Sequence, residues 1–84
     1  MSANVTTADN TAIGFNALIN NVGSENTAVG RSSLSGINNA ASRFNTAIGY
    51  QAMSLGTGNI SQTTAIGSNA MLNSTGSNGT AVGF

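Results

Sequence analysis

The tetrapeptide Thr-Ala-(Ile/Val)-Gly occurs five times in this chain of 84 residues, and its recurrence constrains the fold more than any other feature. The copies start 16, 19, 18 and 16 residues apart, at Thr11, Thr27, Thr46, Thr64 and Thr80. After each of the first four glycines come two variable residues, and then a small residue followed by a large apolar one: Ala17-Leu18, Ser33-Leu34, Ala52-Met53 and Ala70-Met71. Self-similarity at a nearly fixed period is the signature of a fold built from stacked repeats.

The spacing predicts an all-β fold, a parallel β-roll or β-solenoid of about five coils of 16–19 residues. Side chains alternate in direction along an extended Thr-Ala-Ile segment, so Thr and Ile share one face and Ala takes the other. We expect the larger aliphatic residues to face inward and the small-large pair to begin a second short strand. The predicted core is then Ile13, Val29, Ile48, Ile66 and Val82, together with Leu18, Leu34, Met53 and Met71.

The alanines of the repeat suggest how such a thin coil could be stabilised. Two large inward side chains per coil contribute roughly 3–6 kcal/mol on burial, whereas ordering each backbone residue costs about 1–2 kcal/mol. A flat row of methyl groups would let another chain approach closely. The sequence therefore predicts a homotrimer, intertwined or side by side, whose inter-chain face is Ala12, Ala28, Ala47, Ala65 and Ala81.

The repeat also predicts the domain organisation. Residues 1–84 form a single repeat domain with a partial coil at 1–10, coils starting at 11, 27, 46 and 64, and a truncated coil at 80–84. Asn- and Gly-rich segments at 20–23, 36–39, 56–59 and 73–76 are expected to supply the return turns. The two incomplete end coils are expected to complement each other head to tail, unless the chain is cut from a longer fibre.

Composition excludes several functions. The chain has no Cys, His or Trp and only four charged side chains with no net charge, which argues against nucleic acid or an anionic membrane as a partner. No apolar run approaches the roughly 18 residues of a membrane-spanning helix. Asn, Ser, Thr and Gly make up 45 residues, a composition also compatible with disorder. Phased apolar residues and the absence of Pro favour a folded chain instead.

The individual polar and aromatic side chains suggest surface contacts rather than catalysis or metal binding. Phe15, Arg31 and Tyr50 each follow a repeat glycine. This stripe either binds sugars or peptides, or it covers the coil corners or packs against a neighbouring subunit. Asp9 and Glu25 occupy equivalent positions but have no partners for acid–base catalysis. We therefore expect no enzyme activity, no catalytic residues, no cofactor and no metal. The Asn residues before the repeat Thr are expected to stabilise turns through amides bonded along the stack.

The repeat unit resembles those in the heads of trimeric autotransporter adhesins. It is still more similar to the NTAIGYxAL…G…NTAVG arrays of phage tail fibres, which often precede a chaperone-of-endosialidase domain. Asn45–Met53 and Asn10–Leu18 match that pattern position by position, and the resemblance extends over 10–84. It implies a trimeric, left-handed β-roll that serves as a fibre shaft or adhesive head. The coils are longer than those of typical adhesin heads, and the 84 residues themselves include no stalk, anchor or chaperone domain.

Repeat and resemblance together predict a structural module of a phage tail fibre or surface adhesin, located extracellularly or on the virion surface. Its partners would be further copies of itself and a cell-surface glycan or receptor, without nucleic acid and without membrane insertion. The alternative is a self-assembling extracellular filament subunit that polymerises head to tail through its incomplete end coils.

Overall fold

A computed structural model describes residues 9–19, 23–36, 42–54, 60–72 and 76–84. Within these residues the chain forms no helix and five three-residue strands, each a copy of the repeat tripeptide: β1 (Thr11–Ile13), β2 (Thr27–Val29), β3 (Thr46–Ile48), β4 (Thr64–Ile66) and β5 (Thr80–Val82). The strands form one sheet in the order β1-β2-β3-β4-β5, and every neighbouring pair is parallel. The predicted all-β solenoid of stacked coils is confirmed.

Equivalent repeat positions lie directly above one another in the sheet. Thr pairs with Thr, Ala with Ala, and each Ile or Val with the Ile or Val of the next strand. Backbone hydrogen bonds continue this register on both sides of each strand. The Thr27 amide donates to the Asn45 carbonyl at 2.8 Å, and the Gly49 amide donates to the Val29 carbonyl at 2.7 Å. The repeat thus sets the register because each coil presents the same residue at the same height.

The alanine column faces the interior, which overturns the predicted inside and outside. Ala28, Ala47 and Ala65 are fully buried, whereas Ile13, Ile48, Ile66 and Val82 are exposed and Val29 is half-buried. Ala12 and Ala81, on the end strands, pack against the core. The prediction of an aliphatic inward column and an inter-chain alanine face, Ala12, Ala28, Ala47, Ala65 and Ala81, is therefore wrong. Both columns exist in the predicted register, but on opposite sides of the sheet from those expected.

The volume of the coil interior explains this arrangement. Leu18, Leu34 and Met53 are fully buried, and Met71 packs against the same core. Each of these residues contributes a large side chain to the core, and the other buried apolar residues are alanines and Ile60. Protein interiors are close-packed, and overfilling a core strains it. With at least one large side chain already inside each coil, the strand contributes a methyl group to the core rather than a further branched side chain.

The small-large pairs lie in turns and not in the second strand that the sequence suggested. Leu18, Leu34, Met53 and Met71 all have φ between 50° and 57°. This left-handed conformation costs a non-glycine residue about 1–2 kcal/mol. It turns the chain sharply after the strand and directs the large side chain into the core, where burial offsets the cost.

A column of three asparagines, Asn10, Asn26 and Asn45, precedes the first three strands. The Asn26 carboxamide oxygen accepts from the Asn45 amide at 3.0 Å, and the Asn45 oxygen accepts from the Thr63 amide at 3.0 Å. The Asn45 side-chain nitrogen also donates to the Ile60 carbonyl at 2.7 Å. Asn26 and Asn45 are buried, so these bonds form away from water. The predicted bonding of side-chain amides along the stack is confirmed.

Other predictions fall on residues that the structure does not describe. The return turns at 20–23, 36–39, 56–59 and 73–76 lie largely outside the described residues, as do residues 1–8 of the first partial coil. The strands begin at the expected positions 11, 27, 46, 64 and 80. The single-domain boundaries and the left-handed sense of the coil stay predictions.

Candidate interaction surface

The outward side of the sheet forms a face that we call the outer face, consisting of the Thr column and the Ile/Val column of β1–β5. Four of the five aliphatic residues are exposed, among them Ile13 at 60%, Ile48 at 38% and Val82 at 74%, and Val29 is half-buried. Neither column contains a charged residue. Contiguous exposed apolar surface with a polar rim is typical of an interaction site. The outer face is therefore the strongest candidate surface in the described part of the chain.

The end of each strand that follows the aliphatic residue carries a second column, which we call the arginine edge: Phe15, Arg31, Tyr50, Ser68 and Phe84. The Arg31 guanidinium carbon lies 5.7 Å from the centroid of the Phe15 ring and 5.6 Å from that of Tyr50. Arg31 also donates from Nη1 to the Tyr50 hydroxyl at 3.3 Å. Each cation–π contact at an exposed site contributes about 0.5–1 kcal/mol. Arg31 is thus held between two aromatic rings on adjacent coils.

Backbone hydrogen bonds hold this edge in place. Ser32 donates to the Phe15 carbonyl at 2.8 Å, and Gln51 donates to the Arg31 carbonyl at 2.9 Å. These bonds link adjacent coils at the turn, so that successive edge residues lie one coil apart, about 4.8 Å. At that spacing the guanidinium of one coil can lie against the rings of both neighbours.

The opposite end of each strand carries a third column, which we call the acidic edge: Asp9, Glu25, Phe44, Gln62 and Asn78. All five residues are exposed, and all have φ between 54° and 66°. Glu25 accepts a long hydrogen bond from the Ser24 hydroxyl at 3.5 Å. Arg43 lies beside this edge, with its guanidinium carbon 5.5 Å from the centroid of the Phe44 ring.

The charges of the chain are not paired with one another. All four charged side chains lie in the described part of the chain, and none forms an ion pair with a described residue. Arg31 and Arg43 contact aromatic rings instead. Aromatic contact leaves the net charge of a guanidinium in place. The arginine edge therefore keeps a positive charge at the height of β2, and Glu25 keeps a negative charge at the other end of the same strand.

The described residues form no pocket, and they include no group of three metal-ligating side chains. Among the residues that the structure describes, no helix could span a membrane. What the described surface offers is a flat face and two ordered edges.

The structure brings together the three predicted contact residues Phe15, Arg31 and Tyr50 as one stacked group. It separates the predicted core, because Leu18, Leu34 and Met53 lie inside and the strand aliphatics lie outside. Sequence reasoning missed the outer face and the stacking of Arg43 on Phe44. One available signal was that the middle strand residue is Ala in all five copies, whereas its outward neighbour varies between Ile and Val.

No protein-family model, curated protein or solved structure matches this chain.

Proposed function

We propose that the chain is a structural module of an extracellular fibre, in which further copies of the chain cover its outer face. The observation that carries the proposal is the exposed Ile/Val column, which continues in register through every strand. Covering the exposed parts of these five side chains would contribute roughly 3–6 kcal/mol per copy. A charge-free apolar face of this length is a surface that another copy can match level by level.

Hydrogen bonding along the stack supports the mechanical part of the proposal. Successive strands are joined by parallel pairing, and the Asn column adds side-chain bonds in the same direction. The bonds are therefore aligned with the stack axis, the direction in which a fibre carries load. Three copies fit the proposal best because narrow flat faces can close around one axis. The resemblance to the repeats of phage tail fibres and trimeric adhesins also favours three.

The test compares two adjacent residues of β3 that point in opposite directions. Sedimentation velocity of the unaltered chain is expected to give a concentration-dependent trimer. Ile48→Asp places a charge on the outer face and should yield a monomer that keeps its far-UV circular dichroism spectrum. Ala47→Asp places the same charge inside the coil, where Ala47 is fully buried, and should unfold the chain.

A milder variant separates folding from association. Ile48→Thr keeps a β-branched residue at an outward position where Thr already fits in the neighbouring column. We expect a folded chain with weaker association than the unaltered protein, because the apolar area shrinks without a new charge. A chain that is monomeric at every concentration, or an Ile48→Thr variant that associates as strongly as the unaltered chain, would contradict the proposal.

Two further roles stay predictions. Head-to-tail polymerisation depends on the end coils, of which residues 1–8 lie outside the described residues. An adhesive role would use the Phe15, Arg31 and Tyr50 group, which is exposed and ordered but belongs to a flat surface. The outer face therefore favours the shaft function over the adhesive function.

A further inference from the structure

We propose that neighbouring copies pack parallel and level with one another, so that Arg31 of one copy faces Glu25 of the next copy along the seam between them. This inference rests on the proposed association through the outer face. It adds the direction, the register and the specific polar contact of that association.

Arg31 and Glu25 belong to the same coil and lie at opposite ends of β2. Glu25 precedes the first residue of β2 by two positions, and Arg31 follows the last residue by two positions. Both side chains are exposed. At about 3.3 Å per residue, the strand holds them roughly 10 Å or more apart within one chain. They therefore cannot pair with each other inside a copy, but they flank the outer face at equal height.

Symmetry decides which edges meet. When copies surround an axis that runs along the stack, the arginine edge of each copy meets the acidic edge of the next. Closed rings allow no shift along that axis, because a shift would generate an open helix. Equal levels must therefore face each other. The residue opposite Arg31 is then the neighbour's Glu25.

The levels of β3 and β4 agree with this pairing, whereas the end levels place Phe15 opposite Asp9 and Phe84 opposite Asn78. At the level of β3 the aromatic Tyr50 faces the neighbour's Phe44, and at the level of β4 the polar Ser68 faces Gln62. The competing arrangement is a face-to-face antiparallel dimer, which reverses the order of the levels. It would place Arg31 opposite Ser68 and Glu25 opposite Gln62. Only the parallel arrangement brings the two opposite charges together.

The position of the Arg31 guanidinium favours such a contact. The Phe15 and Tyr50 rings lie on either side of its guanidinium in the stack, and only one hydrogen bond, to the Tyr50 hydroxyl, is formed by its N–H groups within the described residues. The remaining N–H groups can donate to a carboxylate, which a guanidinium binds through two parallel hydrogen bonds. Because stacking has already restricted the side chain, forming the contact loses less conformational entropy.

The first experiment reverses the charges. Sedimentation equilibrium of Arg31→Glu should show an association constant for the trimer that is lower by on the order of 10- to 100-fold, since three seams each lose an attraction and gain a repulsion. Adding Glu25→Arg to the same chain should restore association to within about threefold. Arg43→Glu is the matched control, because it changes the net charge equally and lies beside the acidic edge. It should lower the constant by about threefold at most.

The second experiment uses the absence of cysteine from the chain. The double variant Glu25→Cys with Arg31→Cys should form disulfide-linked trimers on mild oxidation, because the two positions meet across each seam. Either single variant should stay uncrosslinked. Tyr50→Cys alone reports the antiparallel dimer, in which the two Tyr50 positions meet at the central coil. In the parallel trimer Tyr50 faces Phe44, and we expect no crosslink.

The outcomes separate this inference from the proposed function. A chain that never associates contradicts association through the outer face, and this inference with it. A chain that associates while Arg31→Glu behaves like Arg43→Glu, or while Tyr50→Cys crosslinks in place of the double variant, overturns the parallel register alone. Crosslinked trimers together with rescue by Glu25→Arg support it.

Discussion

Replacing Gly49 by Ala tests whether the stack depends on close backbone contact between coils. Gly49 has φ of 129°, and an added methyl group would lie 2.5 Å from the Gly67 carbonyl oxygen and 2.7 Å from its carbonyl carbon. Gly83 is the matched control, because it has φ of 120° but nothing within 4 Å of the added methyl. Both substitutions therefore strain the backbone, and only Gly49→Ala also collides with the next coil.

The expected magnitudes follow from these two terms. An L-residue held at such a φ costs of order 1–3 kcal/mol, and the lower entropy of the unfolded alanine chain returns about 0.4–1 kcal/mol. Gly83→Ala should therefore lower the free energy of unfolding by about 1–2 kcal/mol. Gly49→Ala must also separate two coils where the Gly67 amide donates to the Ile48 carbonyl at 2.8 Å. Weakening that bond and its packing adds about 2 kcal/mol or more, for a total of about 3–5 kcal/mol.

Urea unfolding, followed by far-UV circular dichroism at one fixed protein concentration, gives both values. The concentration must be fixed because association adds to the apparent stability. Gly76→Ala serves as a baseline, since Gly76 has no left-handed φ and an added methyl group would meet nothing within 4 Å, and we expect a change within about 0.5 kcal/mol. Equal destabilisation by Gly49→Ala and Gly83→Ala would refute the argument, because it would leave backbone strain as the only cost and remove coil contact as the reason for glycine.

Two further pairs of substitutions test the interior. Asn45→Ala removes the partners of two buried backbone groups in the next coil and should lower the free energy of unfolding by about 2–5 kcal/mol in urea titrations. Asn10→Ala removes the same two kinds of bond at the part-buried end of the column, where water can replace them, and should cost about 1 kcal/mol. Met53→Ala should cost about 2–5 kcal/mol in thermal or urea unfolding, because the side chain is fully buried. Met71→Ala should cost less, since Met71 is only partly buried, and a larger loss there than at Met53 would contradict the assigned core.

The position and register of the strands could be predicted from the sequence because both follow from period alone. Each strand begins at a repeat Thr, and equal residues face each other in every pair. The bonding role of the asparagines could be predicted for the same reason. A residue that recurs at one position of a stacked coil has its own copy as neighbour, and an amide can both donate and accept along the stack.

The direction of the side chains could not be predicted from alternation. A Thr-Ala-Ile strand divides its residues between two sides, but alternation does not say which side is inside. Ranking by hydrophobicity selects Ile48 as the interior residue, whereas the space left by Met53 selects Ala47. That space depends on the turn after the strand, where Met53 has φ of 53°. A large apolar residue in the left-handed region has no strong sequence signal, and its inward direction was the missing information.

The burial of the alanine column in place of the aliphatic column also changes the physical reason for association between copies. Had the aliphatic column been buried, a single chain would hold both large side chains of each coil, and further copies would add only methyl contacts. In the observed arrangement the large turn residue of each coil lies inside and the aliphatic strand residue lies on the outer side of the sheet, so each added coil enlarges both the core and the outer face. Each coil also brings the same edge positions to the same height. In a longer stack of this kind, the buried core, the outer face and the seam between copies would therefore each increase by the same amount per coil. A fibre module that extends by repetition requires this property.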